Sequence, residues 1–133
     1  MLDTHVLIWL LTGNSRLGRQ PLALINQAAA LNAVFVSAIT PWEIAMLVSK
    51  GRLRLDKDVG EWIQIALALP GIRLEPLTAE ISVASTRLPD GINPDPADRI
   101  IVSTARHLGV PLITADMNLI QYGNMGHVKA IAL

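Results

Sequence analysis

Four acidic side chains could act together in one reaction, although they are spread over almost the whole chain: Asp3, Glu43, Asp98 and Asp116. Each lies where a short apolar, β-forming run gives way to the signals of a helix start. In an open α/β sheet, the carboxyl ends of the strands and the helix starts beyond them line one crevice. Four carboxylates in one crevice repel each other unless a hard cation such as Mg²⁺ or Mn²⁺ neutralises them. The pattern therefore predicts a metal site suited to phosphodiester hydrolysis.

Each acid taken alone also has a structural explanation, because a carboxylate at a helix start satisfies unpaired N–H groups. The segment 40–43, Thr-Pro-Trp-Glu, matches a capping box that ends at Glu43. Asp95 is the predicted cap of the clearest helix, and Asp98 lies one turn inside it. Thr114, at a strand end, could bond a carboxylate or a metal-bound water, or be an ordinary strand-end hydroxyl. It is the joint occurrence of the acids that favours a metal site.

Alternating strand and helix patterns determine how these residues are positioned. The patterns predict strands at residues 1–3, 34–36, 72–74, 111–114 and 128–131. They predict helices at residues 5–11, 21–31, 40–49, 58–68, 78–87, 95–107 and 117–121. Such alternation is typical of crossover units. We expect an α/β fold with three layers, α/β/α, in which helices flank a mainly parallel central sheet.

The composition agrees with this fold and limits the other classes. The 133 residues are 51% hydrophobic but only 4% aromatic, so the core must be aliphatic, as in buried parallel strands. No apolar stretch approaches the roughly 20 residues that span a bilayer, and no secretory signal is visible. The absence of cysteine excludes disulfides and thiolate metal sites and fits the cytoplasm. Since 11 basic and 11 acidic residues balance, attraction to nucleic acid would need a local cluster.

Four segments resemble the successive motifs of PIN-domain ribonucleases, and among these the VapC-type toxins of bacterial type II toxin–antitoxin pairs. The segments are Leu2–Trp9, Ser37–Ala45 followed by Gly51–Leu53, Asp95–Ala105, and Leu112–Asp116. Their order and spacing agree with the family over essentially the whole chain, which implies a single PIN domain at residues 1–133. Relatives carry more apolar residues before the first Asp, so we expect the first strand to be cut short at the N-terminus.

The resemblance implies a Mg²⁺- or Mn²⁺-dependent endoribonuclease that uses one or two ions. It assigns the metal and catalytic positions to Asp3, Glu43, Asp98 and Asp116, with Asp95 as an accessory residue from the same motif. We expect Asp3 and Asp98 to be direct ligands, and Glu43 and Asp116 to bind through water or to orient the nucleophile. No histidine is needed as a base.

The resemblance also implies an RNA substrate, a homodimer and a cognate antitoxin. The antitoxin could cover the face near Trp9 or Trp42, although a core role for both tryptophans is favoured. Lys50 and Arg52, in the densest basic stretch, could bind phosphates, and a charged helix end is an equal alternative. Arg99 could bind substrate phosphate, or pair with a neighbouring acid, which is favoured.

Three competing functions can be compared with this hypothesis. A phosphatase that uses Asp3 as a nucleophile would need a second Asp two positions later, where His5 stands. A receiver domain would need paired acids and a late Lys, which are not evident. The remaining alternative is a catalytically inactive PIN-like interaction module in which the acids serve only as helix caps.

Overall fold

Short parallel strands at the centre of the molecule bring distant parts of the chain together. The structure, a computed structural model, describes all residues from 1 to 133. Its strands are β1 (Val34–Ser37), β2 (Ile72–Glu75), β3 (Leu112–Thr114) and β4 (Ala130–Ala132). β1 pairs with β2, and β3 pairs with β4, both in parallel. The predicted parallel sheet is confirmed.

A single residue, Leu2, joins the two strand pairs. It forms parallel bridges to Val36 of β1 and to Ile113 of β3. The Leu2 N–H donates to the Phe35 carbonyl at 2.9 Å, and the Asp3 N–H donates to the Ile113 carbonyl at 3.0 Å. The strand predicted at residues 1–3 is therefore reduced to one bridging position between β1 and β3. Its consequence for the site is that Asp3 emerges in the middle of the sheet edge.

Seven helices cover the two faces of the sheet. They are α1 (Thr4–Thr12), α2 (Arg19–Ala30), α3 (Ile39–Ser49), α4 (Val59–Leu67), α5 (Ala79–Ser85), α6 (Pro96–Leu108) and α7 (Met117–Asn124). The order of elements alternates as the sequence predicted, although several ends shift by one or two residues and the last helix, predicted at residues 117–121, ends three residues later at Asn124. None of these helices has both the length and the apolar character needed to cross a bilayer.

The core consists of two apolar clusters, as a sheet between two helical layers requires. Neighbouring residues of a strand point to opposite faces. Val34 and Val36 of β1 accordingly lie in one cluster, and Phe35 packs against the other. In β3, Ile113 belongs to the first cluster and Leu112 to the second. The three-layer α/β/α architecture is confirmed.

The predicted capping box at residues 40–43 is wrong. α3 begins at Ile39, and its N-cap Ala38 makes no side-chain capping bond. The Ser37 hydroxyl instead accepts the Ile39 N–H at 3.2 Å. Thr40 is fully buried, and its hydroxyl lies 3.3 Å from the Thr4 hydroxyl of α1. Thr40 therefore connects two helices, and Glu43 lies beyond the first turn of α3.

Two further boundaries differ from the prediction. The second helix begins at Arg19 and not at Pro21, which places the proline inside the first turn, where it is tolerated. The last strand begins at Ala130, two residues later than predicted. Val128 is apolar, so the sequence pattern predicts a strand that includes it. In the structure its side chain is buried in the second cluster, and it has no strand partner.

Candidate functional site

The four acids identified in the sequence line one crevice at the carboxyl edge of the sheet. Asp3 follows the central bridge, Glu43 lies in α3 after β1, Asp98 lies in α6, and Asp116 follows β3. Asp95 lines the same crevice, whose volume is about 440 Å³. The predicted convergence is therefore observed in space. The metal-binding and catalytic roles of these residues stay predictions.

Asp3 is held rigidly at the floor of the crevice. Its side chain is buried, with 6% exposure, and Oδ1 accepts the Thr4 N–H at 2.8 Å. Oδ2 accepts the Thr114 hydroxyl at 2.7 Å, and that hydroxyl in turn accepts the Asp116 N–H at 3.0 Å. Thr114 thus bonds to a neighbouring carboxylate, one of the alternatives open from the sequence, and connects the ends of two strands.

Glu43, Asp95 and Asp98 form the tightest group of carboxylates. One oxygen from each lies within 4.8 Å of the others. Asp95 Oδ1 accepts the N–H groups of Ala97, at 2.8 Å, and Asp98, at 3.3 Å, which is the predicted helix cap. The Asn93 amide donates to Asp98 Oδ2 at 2.9 Å and fixes the orientation of that carboxylate. Asp95 therefore belongs to the same close group as Asp98.

The charges of these acids are not balanced by the protein. Burial first, and then the charges of Asp3, Asp95, Asp116 and Glu43, together raise the pKa of Asp98 to about 7. Burial also raises the pKa values of Asp3 and Glu43. No lysine or arginine lies within 4 Å of any of the five carboxylates, because the only ion pairs of the chain are two histidine–acid contacts elsewhere.

The donor set suits a hard divalent cation. Mg²⁺ and Mn²⁺ prefer carboxylate oxygens, and a bound cation would relieve the repulsion that raises these pKa values. Helix capping does not compete with this role. Asp95 and Asp116 each use only Oδ1 as a cap, so Oδ2 of each remains free for a ligand. The capping alternative and the metal hypothesis are therefore compatible at both residues.

The basic residues chosen from the sequence do not line the crevice. Arg99 Nε donates to the Asn93 carbonyl at 3.1 Å and forms no ion pair with an acid, so the favoured pairing is wrong. Lys50 and Arg52 are exposed at the far end of α3. Lys50 lies seven positions after Glu43, roughly 10 Å along the helix axis. Binding of RNA by these three residues stays a prediction.

Two crevice residues of a different kind were missed by the sequence reasoning. Trp9 and Arg16 both line the crevice, and the Arg16 guanidinium carbon lies 5.5 Å from the centre of the Trp9 ring. His5 also lines it and is exposed. Spacing of four residues on α1 places His5 and Trp9 on one face, a signal that could have been used. Arg16, in the turn after α1, has no such signal.

The tryptophans differ from the expectation of a shared core role. Trp42 is 56% exposed beside Glu43, so a core role for it is wrong. Trp9 is half-buried and packs against the first apolar cluster with part of its side chain. The tryptophan that does belong to the core is Trp62, which is 5% exposed.

Known proteins share this sequence pattern. Residues 1–124 match the family described as the PIN domain. The chain is also 34% identical over 119 residues to the protein named ribonuclease VapC22 from Mycobacterium tuberculosis (strain H37Rv). That similarity covers 90% of this chain and 88% of the relative. The family match, over residues 1–124, spans all five acids of the crevice.

Proposed function

Because this chain belongs to the PIN-domain family, we propose that it is a VapC-type endoribonuclease, the toxin of a toxin–antitoxin pair. The observation that carries this proposal is the convergence of five carboxylates in one crevice without a protein cation paired to any of them. A helix-capping module would need no such arrangement. Capping accounts for one oxygen each of Asp3, Asp95 and Asp116, and it leaves Glu43 and Asp98 unexplained.

Glu43, Asp95 and Asp98 are the residues that hold Mg²⁺ or Mn²⁺ in this proposal, with Asp3 and Asp116 completing the site. One or two ions bound there would lower the pKa of a water and stabilise the leaving oxygen. The ligand set differs from the sequence-based expectation because Asp95 replaces Asp3 in the closest group. Asp3 remains near enough to raise the pKa of Asp98 by its charge.

The side chains around the ligands have distinct duties. Thr114 fixes the Asp3 carboxylate, and Asn93 fixes that of Asp98. Glu43 would bind the ion through a water and orient that water for attack, as a positioned base. A positioned base contributes typically 10²–10⁴-fold to the rate of such a reaction.

The substrate of the proposed enzyme is RNA, and its partners are a cognate antitoxin and a second copy of the chain. Large exposed apolar side chains support contact with partners, among them Leu31 at 79%, Met117 at 66% and Trp42 at 56% exposure. Trp42 directly precedes Glu43 in α3, so an antitoxin that covers Trp42 would lie next to the residue that carries one of the crevice acids.

Metal-dependent cleavage tests the proposal. The purified protein should cleave RNA with Mg²⁺ or Mn²⁺ and stop when EDTA is added. Asp98→Asn should be folded and inactive, while Asp56→Asn, which removes an exposed acid outside the crevice, should cleave at the parental rate. Cleavage that persists in EDTA would eliminate the metal mechanism. Full activity of Asp98→Asn would remove that residue from the site.

A further inference from the structure

Arg16 is the only lysine or arginine among the residues that line the acidic crevice. Its side chain forms no ion pair within 4 Å of any carboxylate, although five of them surround the same space. A cation whose function was to neutralise these acids would contact one of them. The Arg16 charge is therefore available to a ligand that enters the crevice.

The turn that carries Arg16 is well anchored. The Arg16 N–H donates to the Asn14 side-chain oxygen at 2.9 Å, and the Leu17 N–H donates to the Asn14 carbonyl at 3.1 Å. Leu17 is buried in the first apolar cluster, with 9% exposure. The backbone on both sides of the Arg16 side chain is thus fixed relative to the core.

The indole of Trp9 fixes the guanidinium itself. Trp9 packs against the first apolar cluster, and Arg16 lies over its ring at 5.5 Å from the centre. A guanidinium that stacks on an aromatic face keeps its N–H groups free at its edge, where they match two oxygens of a phosphate. The pair therefore presents a phosphate-binding edge within the crevice.

We propose that Arg16 binds a backbone phosphate of the RNA next to the scissile one, and that Trp9 is a positioning residue for its guanidinium. The inference rests on the proposed function. A flanking phosphate is the target because Arg16 lies more than 4 Å from the carboxylates that hold the reacting group. A cation here also offsets the repulsion between an anionic RNA and five acids.

Arg73 provides a matched control. Its guanidinium lies over the Phe35 ring at 5.6 Å, so it has the same charge and the same aromatic contact, but it does not line the crevice. The comparison of Arg16→Ala with Arg73→Ala separates a local phosphate contact from a general loss of positive charge and of stacking.

Binding of a mixed-sequence, single-stranded RNA oligonucleotide tests the contact without relying on cleavage. The measurement is fluorescence anisotropy with Mg²⁺, in the Asp98→Asn background, over a range of salt concentrations. Loss of one phosphate contact should weaken binding about tenfold and reduce the salt slope by about 0.7 for a single strand. Arg16→Ala should show both effects, and Arg73→Ala neither. Equal slopes for the two variants, or unchanged binding by Arg16→Ala, would overturn the proposal.

The role of Trp9 has its own test. Trp9→Phe keeps an aromatic face and should bind RNA within about twofold of the parent, whereas Trp9→Leu should bind severalfold more weakly while remaining folded by thermal melting. If Trp9→Phe and Trp9→Leu bind RNA with equal affinity, Trp9 does not act through stacking.

Cleavage kinetics give a second test of Arg16. In otherwise unmodified enzyme, Arg16→Ala should raise KM more than it lowers kcat. Absence of cleavage in every variant together with the slope difference would refute the proposed activity but not the phosphate contact.

Discussion

Replacement of Asp98 by Asn should stabilise the metal-free protein at alkaline pH. Asp98 is 8% exposed and accepts one hydrogen bond from Asn93. The amide oxygen of Asn can keep that bond, so the substitution removes the negative charge and little else. Where a residue serves only as part of a helix start, removal of its charge should lower stability, because a helix start favours negative charge by roughly 0.3–1 kcal/mol.

The size of the effect follows from the pKa. The pKa of Asp98 is about 7 in the folded protein, against an ordinary value of 3.8. A difference of about three units corresponds to at most roughly 4 kcal/mol in the free energy of unfolding. Because the crevice is open to solvent on one side, screening reduces this to about 2 kcal/mol. For a chain of this length, that is a rise of roughly 7 °C in Tm.

The sign depends on pH. A raised folded-state pKa means that the folded protein binds more protons than the unfolded chain between about pH 4 and pH 7. The free energy of unfolding of the parent therefore falls as pH rises through this window. Asp98→Asn cannot titrate there, so its advantage should be close to zero near pH 4 and complete above pH 8.

Thermal melting in EDTA, at pH 4.5 and pH 8, checks this prediction. Asp56→Asn is the control, because that acid is exposed and lies outside the crevice. The reasoning would be refuted by an Asp98→Asn protein that melts below the parent at pH 8, or by a Tm difference that does not change with pH. The first result would identify Asp98 as a structural cap residue.

Three other substitutions probe the surroundings of the site. Thr114→Val removes the donor to buried Asp3 and should lower the free energy of unfolding by about 1–3 kcal/mol in denaturant melts, with Thr114→Ser as the control. Asp95→Asn keeps the capping oxygen, so it should melt no lower than the parent in EDTA but should lose most of the Tm increase that Mn²⁺ gives. Gly71→Ala should strongly reduce the yield of folded protein, since a Cβ there would lie 2.3 Å from the Ala29 carbonyl oxygen in a backbone with φ of +84°.

The position of the acids could be predicted because it depends on local patterns and on one rule of parallel sheets. Asp3 and Asp116 follow strand ends that are visible in the sequence, and parallel pairing places both ends along one edge. Asp98 follows no strand, because α5 and a loop precede α6, and only its helix start is visible in the sequence. The same reasoning also gave the layers of the fold.

The errors arose where contacts between distant parts of the chain decide the structure. The Thr-Pro-Trp-Glu segment has the sequence of a capping box, but Thr40 meets Thr4 of α1 in the interior, and Ser37 receives the first N–H of the helix. Arg99 turns to the carbonyl of Asn93, because the loop before α6 folds back over the helix start. Neither partner is indicated by local sequence.

Arg16 also depends on contacts between distant parts of the chain, but it is a residue that the sequence pattern did not single out. It lies in a polar turn without periodicity, and only the packing of Leu17 and the position of Trp9 bring it to the crevice. The sequence offered denser basic stretches, such as that around Lys50, and they are exposed elsewhere. Density of charge along the chain is therefore a poor guide to which cation faces a site.

Crystals grown with Mn²⁺ would test the central claim most directly, because anomalous scattering locates the ion without reference to activity. The account predicts a strong anomalous peak in the crevice, within bonding distance of oxygens from Asp98 and from at least one of Glu43 and Asp95. The peak should be lost in Asp98→Asn. A crevice that stays free of anomalous density at millimolar Mn²⁺, or ions bound only at exposed acids such as Asp58 and Glu61, would contradict it.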